Sequence, residues 1–152
     1  MTVKEKYSGM CRKYKLPPFE KLDAEFELSG IEQEDFILRE VRKKIEEKLA
    51  AVRKVMEEVL QPESNLAGIY ESRVFSEEEK KELFELYRKI MKFVRQGFEL
   101  YVKADEKADA NFISAFFREW ESIKAGIGKM SSKLQDSWQK EMEGDEKLGY
   151  FG

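Results

Sequence analysis

The stretch IKAGIGKMSSK, residues 123–133, gathers the residue types of a phosphate-binding loop: two glycines, a lysine and two serines. In such a loop the glycine-rich backbone cradles phosphate oxygens, the lysine reaches the terminal phosphates and a hydroxyl holds Mg2+. That chemistry needs the spacing G-x-x-x-x-G-K, then Ser or Thr, after a strand. With Gly128 and Lys129 as the G-K pair, the first glycine position is occupied by Ile123 and the hydroxyl position by Met130. No strand precedes it either, because Ile123, Ile127, Met130 and Leu134 continue a helical seam. The stretch reads as helix, and neither nucleotide nor any other cofactor is expected.

Inside a helix, Gly126 and Gly128 each cost about 1 kcal/mol relative to alanine. They fall on opposite flanks of the apolar stripe, so the expectation is that a neighbouring helix approaches the backbone closely at each of them. Gly97, in the preceding helix, is expected to serve the same purpose.

Other chemistry is constrained by what the chain lacks. It has no histidine and a single cysteine, Cys11. The commonest general base and an ordinary zinc site are thereby missing, as is the Glu-x-x-His pattern of di-iron bundles. Cys11 shares an apolar stripe with Val3, Tyr7, Met10 and Tyr14, which reads as a packed thiol. Acidic clusters stand at Glu32/Glu34/Asp35, Glu77–Glu79 and Asp105/Glu106/Asp109. The first two are placed in helix first turns, where the dipole favours negative charge, so no metal site is expected. No catalytic residue is assigned.

Two groups of residues are candidates for binding. The first 16 residues carry Lys4, Lys6, Arg12, Lys13 and Lys15 against Glu5 alone, with Tyr7 and Tyr14 interleaved. A basic, aromatic arm of this kind suits phosphate contact and base stacking in a nucleic acid. The competing reading docks the tyrosines on the fold and leaves the lysines at its rim. The second group is apolar. Phe36 points away from the stripe of its own helix, and is either covered by Phe19, Leu22 and Phe26 or available to a partner. Leu148, Tyr150 and Phe151 follow an acidic stretch and have the make-up of a short docking peptide.

The elements that must position these residues are helices. Val3 to Tyr14 form one short helix, stopped by Leu16-Pro17-Pro18, and Phe19, Leu22 and Phe26 mark a second. Ser29-Gly30-Ile31-Glu32 has the form of a capping box opening a helix over 30–60, with Leu38, Val41, Ile45, Leu49, Val52, Met56 and Val59 as its stripe. Pro62 ends it, and residues 62–75 form a connection with enough apolar content to include a helical turn. Ser76 to Glu79 is a second capping box. The helix it opens, 77–104, has one seam of Leu83, Tyr87, Ile90, Val94 and Tyr101 and further large apolar residues on both sides, so it needs neighbours on two faces. A turn is expected within 103–110, with Asp109 as the N-cap of a last helix over 110–141. There Ile113, Phe116, Trp120, Ile123, Ile127, Met130 and Leu134 make a heptad seam.

These elements predict an all-α fold in one domain, 1–152: short N-terminal helices over 1–28, an antiparallel bundle of three long helices over 29–142, and a mobile tail, 143–152. The chain is 41% hydrophobic, too apolar for a disordered segment, and its net charge of −3 sets up no strong field for nucleic acid or anionic membrane. No apolar run approaches the roughly 20 residues that span a bilayer. The N-terminus lacks a secretory leader and the single cysteine suits a reducing compartment, so a cytoplasmic location is expected. The wealth of Lys and Glu and scarcity of Asn, Thr and Cys match a thermophile composition. The function expected is a non-catalytic scaffold or protein-interaction module with an unidentified protein partner or a second copy as homodimer. The alternative is a nucleic-acid-associated protein working through the basic arm.

Overall fold

The structure is a computed structural model and describes residues 1–33 and 35–139. It is all helical among those residues: α1 (Val3–Lys13), α2 (Phe19–Phe26), a 3-10 turn (Leu28–Gly30), α3 (Ile37–Leu60), α4 (Leu66–Arg73), α5 (Glu77–Val102) and α6 (Glu106–Gln139). Three long helices, α3, α5 and α6, pack together, and α1 and α2 pack against them. Cross-helix contacts fix the directions. Glu46 meets Gly97 and Arg53 meets Met91, so α3 and α5 are antiparallel. Glu79 pairs with Lys133, and Phe93 packs on Phe116, so α5 and α6 are antiparallel as well.

The core follows the apolar stripes. Val41, Ile45, Leu49, Met56 and Val59 of α3 are buried, as are Leu83, Ile90 and Phe93 of α5 and Ile113, Phe116, Trp120, Ile123 and Met130 of α6. The centre is aromatic: Phe93 meets Phe116 edge-on at 5.2 Å and Phe112 at 5.9 Å, while Phe26 of α2 packs on Trp120 at 5.1 Å. Edge-on pairs of this kind stabilise by about 0.5–1.5 kcal/mol beyond area burial. At one end α4 is fastened by Ser72 Oγ donating to the Val59 carbonyl at 2.7 Å and by the Tyr70 hydroxyl donating to the Ser137 carbonyl.

The helix starts differ from expectation in two places. Ser29 does not cap the third helix: its N–H and hydroxyl both donate to the Asp23 carboxylate, at 2.8 and 3.0 Å. Residues 31–33, 35 and 36 are non-helical and α3 begins only at Ile37, behind Phe36 in the left-handed region at φ 54°. The Glu32/Asp35 cluster therefore precedes the helix rather than lying in its first turn, and Glu34 is outside the described residues. Nor is Asp109 an N-cap. The turn falls at 103–105, Asp105 Oδ1 accepts from the N–H of Lys107 at 3.0 Å, and Asp109 lies buried inside α6. At about 1.5 Å per residue, α3, α5 and α6 run roughly 36, 39 and 51 Å, so their lengths are less closely matched than expected. The expected end of the last helix at 141 and the tail 143–152 lie outside the described residues.

Candidate interaction surface

The N-terminal arm is docked. Tyr7 is fully buried and its hydroxyl donates to the Pro17 carbonyl at 2.6 Å; burial pushes its phenol well above the ordinary range. Cys11 is half-buried with Sγ 3.8 Å from the same carbonyl, and burial raises its thiol, the opposite of nucleophile activation. The five cations are not gathered on one free surface. Lys4 pairs with Glu20 at 3.0 Å, Lys13 with Glu106 at 3.0 Å, and Lys6 lies 3.9 Å from Asp35. Tyr14 joins the second pair, its hydroxyl 2.8 Å from Glu106. Arg12 and Lys15 are exposed.

The three glycines have three different environments. A Cβ at Gly126 would stand 2.8 Å from a Leu86 methyl of α5, so the Leu86 side chain packs into the space this glycine leaves. At Gly128 nothing lies within 4 Å of that position, and the expected second approach is absent. At Gly97 the space belongs to a carboxylate: Glu46 Cδ would be 2.9 Å away.

That carboxylate belongs to a buried polar cluster that the sequence reading missed. Arg42, on α3, is 2% exposed. Its Nε donates to Asp109 Oδ1 at 2.7 Å, while Nη1 donates to the Glu46 carboxylate and to the Gly97 carbonyl at 3.3 Å. Burial pushes the Asp109 carboxyl up, and the bond to Arg42 only partly opposes it. The cluster ties all three long helices at one level. Its signal in the sequence is an arginine one residue from the Val41 stripe position and an aspartate just before the Ile113 seam.

Among the described residues no three metal-ligating side chains gather. No helix is long and apolar enough to cross a membrane.

The exposed apolar residues form the more telling pattern. Phe84, Tyr87, Met91, Val94, Phe98 and Tyr101 lie on α5 at spacings 3, 4, 3, 4, 3, a heptad seam of its own. This seam is not the core. Phe84 is 48% exposed, Phe98 59% and Tyr101 76%, with Val102 beside them at 66%. Tyr87, Met91 and Val94 are half-buried at the edge of α3. Tyr101 was expected inside the main seam, but it stands one turn past Gly97 and is exposed. The seam is roughly 26 Å long. It follows the groove between α3 and α5, with clefts at Tyr87 and at Val94.

Phe36 extends the patch. It is 71% exposed, so Phe19, Leu22 and Phe26 do not cover it: they are buried elsewhere, and the left-handed backbone at Phe36 turns its ring outward. The Arg39 guanidinium stacks over the ring at 4.6 Å. Phe36 and Ala104 line one cleft, which puts this ring at the same end of the bundle as Tyr101 and Val102. Leu148, Tyr150 and Phe151, the other expected docking residues, lie outside the described residues.

Compared with models of known protein families, with curated proteins and with solved structures, the chain matches none.

Proposed function

We propose that the protein is a helical interaction module that presents the outer seam of α5 to another helix. The observation that carries this reading is the solvent exposure of a regular heptad seam. Isolated exposed apolar residues need no explanation, but a contiguous apolar stripe marks an interaction site. Heptad spacing narrows the class of partner, since knobs at every third and fourth residue interlock with a second helix rather than with a small molecule. The buried Arg42 cluster supports the reading as well, because it holds α3, α5 and α6 in register and so keeps the seam straight.

The nucleic-acid reading has less behind it. Lys4, Lys6 and Lys13, three of its five cations, have carboxylate partners within the chain, and Tyr7 is buried away from any base. Site-specific photo-cross-linking in cells tests the choice. A photoreactive residue at Phe98 should yield a discrete protein adduct, and one at Glu119, on the exposed face of α6, should not. Equal background from both positions would sink the proposal.

A further inference from the structure

The seam carries a charge pattern that identifies its partner. Beyond it, on the side away from α3, stand Arg88, Lys92 and Arg95, with Glu85 and Glu99 among them. Among the described residues neither Lys92 nor Arg95 has an ion pair, and Arg88 reaches only Glu85, one turn back, at 3.2 Å. The opposite edge of the seam is the flank of α3, where Glu57, Glu47 and Glu46 stand. Contacts within the chain give their heights. Glu57 shares a cleft with Tyr87, Glu47 shares one with Val94, and Glu46 lies against Gly97. An edge on which cations outnumber acids and an edge on which Glu46, Glu47 and Glu57 stand among Lys43, Arg53 and Lys54 thus flank one apolar seam, with Arg88 level with Glu57 and Arg95 level with Glu46 and Glu47.

We infer that the partner at this seam is a second copy of the chain, packed with its α5 parallel and in register about a two-fold axis running along the seam. This rests on the interaction reading above. A two-fold interface requires a surface complementary to itself, and there are two ways to lay this face on its copy. If the axis crosses the helix, α5 meets α5 antiparallel and each edge meets its own image. Arg88, Lys92 and Arg95 would then face Arg95, Lys92 and Arg88, which costs binding. If the axis runs along the helix, heights are kept and the edges exchange. Arg88 then faces Glu57 of the other copy, Arg95 faces Glu46 and Glu47, and Lys92, one residue from Met91, comes level with Arg53, the one like-charge meeting of this arrangement. Two cations of that edge are engaged at home: Arg53 lies 3.9 Å from both Glu57 and Met91 Sδ, and Lys43 lies 3.5 Å from Glu40. In register, Phe84, Met91 and Phe98 each meet their own copy across the axis, the geometry of a parallel heptad pair.

Light scattering on the eluting protein at micromolar concentration is the first measurement. A particle of twice 18.0 kDa is expected; a monomer would overturn the inference while leaving the cross-linking test of the interaction reading standing. Charge reversal then tests the arrangement. Arg95→Glu and Glu47→Arg should each weaken the dimer on the order of tenfold, and the two together in one chain should restore it. Both positions are on the surface, so circular dichroism should show an unchanged fold. A tighter dimer in Arg95→Glu would mean an antiparallel pair and would refute the parallel one. In a Cys11→Ser background, Phe98→Cys should oxidise to a covalent dimer through its own copy. Failure to do so, with a ready disulfide between Phe84→Cys and Tyr101→Cys chains, would refute it independently.

Discussion

Removing the Asp109 carboxylate tests how the three long helices are held together. Arg42 and Asp109 are almost wholly buried, 2% and 7% exposed at their side chains. Deleting one member of a buried pair typically costs 3–5 kcal/mol, because the surviving charge is left in a medium that solvates it poorly. In Asp109→Ala the guanidinium keeps Glu46, which is 31% exposed, and the Gly97 carbonyl. The cost should therefore lie at the lower end, about 3 kcal/mol, or roughly 6–12 °C in Tm for a chain of this size. Arg42→Met is not its mirror image. A guanidinium cannot shed its proton, but the carboxyl left behind can take one up, and burial already pushes Asp109 in that direction. Its folded pKa then lies above the unfolded value. The penalty is full above the folded pKa and fades as pH falls towards the unfolded one, so Arg42→Met should recover stability on acidification relative to wild type and Asp109→Ala should not. The double variant Arg42→Met, Asp109→Leu leaves no buried charge and should lie within about 1 kcal/mol of wild type or above it. Urea unfolding at pH 7 and pH 5 measures all four proteins. A loss below 1 kcal/mol in Asp109→Ala, or a double variant as unstable as the singles, would refute the reasoning.

Three further outcomes are expected. Gly128→Ala should gain about 1 kcal/mol from helix propensity, since its Cβ meets nothing, whereas Gly126→Leu should lose about 1–3 kcal/mol by driving into Leu86; thermal melts of the pair decide. The Glu79 carboxyl is held down to about 2 by Lys133, 2.5 Å away, and by the N–H of Ser76 at 2.9 Å. A lowered folded pKa stabilises above the unfolded value, near 4.5, and the benefit is lost as pH falls from there towards 2; the stability gap between wild type and Glu79→Gln should therefore close over that window. Phe36→Gly should raise Tm, because a left-handed backbone costs a non-glycine residue about 1–2 kcal/mol, and the ring forfeits only its stacking on Arg39, about 0.5–1 kcal/mol.

Periodicity made the long helices and most of their core legible. The stripes of α3 and α6 are spaced regularly, and burial follows them. Chain stops set by proline were equally plain, because Pro17, Pro18 and Pro62 act locally whatever surrounds them. The errors fell where a polar side chain had a choice of partners. Ser29 has the form of a capping residue, yet Asp23, six positions earlier, takes both of its donors. Asp109 also looks like a cap, but α6 starts a turn earlier behind Asp105, and the carboxylate is drawn inward by Arg42, 67 positions away in sequence. Local pattern cannot rank a near partner against a distant one. The turn at 103–105 was expected from equal helix lengths, whereas it rests on a different cause: the 103–108 segment has no large apolar residue, and Asp105 caps the next helix.

The same limit explains why the outer seam of α5 was not separated from the core. By spacing alone α5 has two seams: Leu83, Ile90 and Gly97 belong to one, Phe84, Met91 and Phe98 to the other, and both are large and apolar enough to be buried. Periodicity counts apolar residues without knowing how many neighbours the fold supplies. With the turn at 103–105 closing α6 back on α5, and α3 on its other flank, two neighbours are already spent. They cover the arc from Phe93 round through Ile90 to Val94 and leave Phe84 and Phe98 outside. The mixed edges of the groove make sense only on that exposed face. Three cations in line on α5, Arg88, Lys92 and Arg95, would be an ordinary solvated surface beside a polar seam. Beside an apolar one, with carboxylates at matching heights across the groove, they would form the polar rim of the proposed interface around its apolar centre.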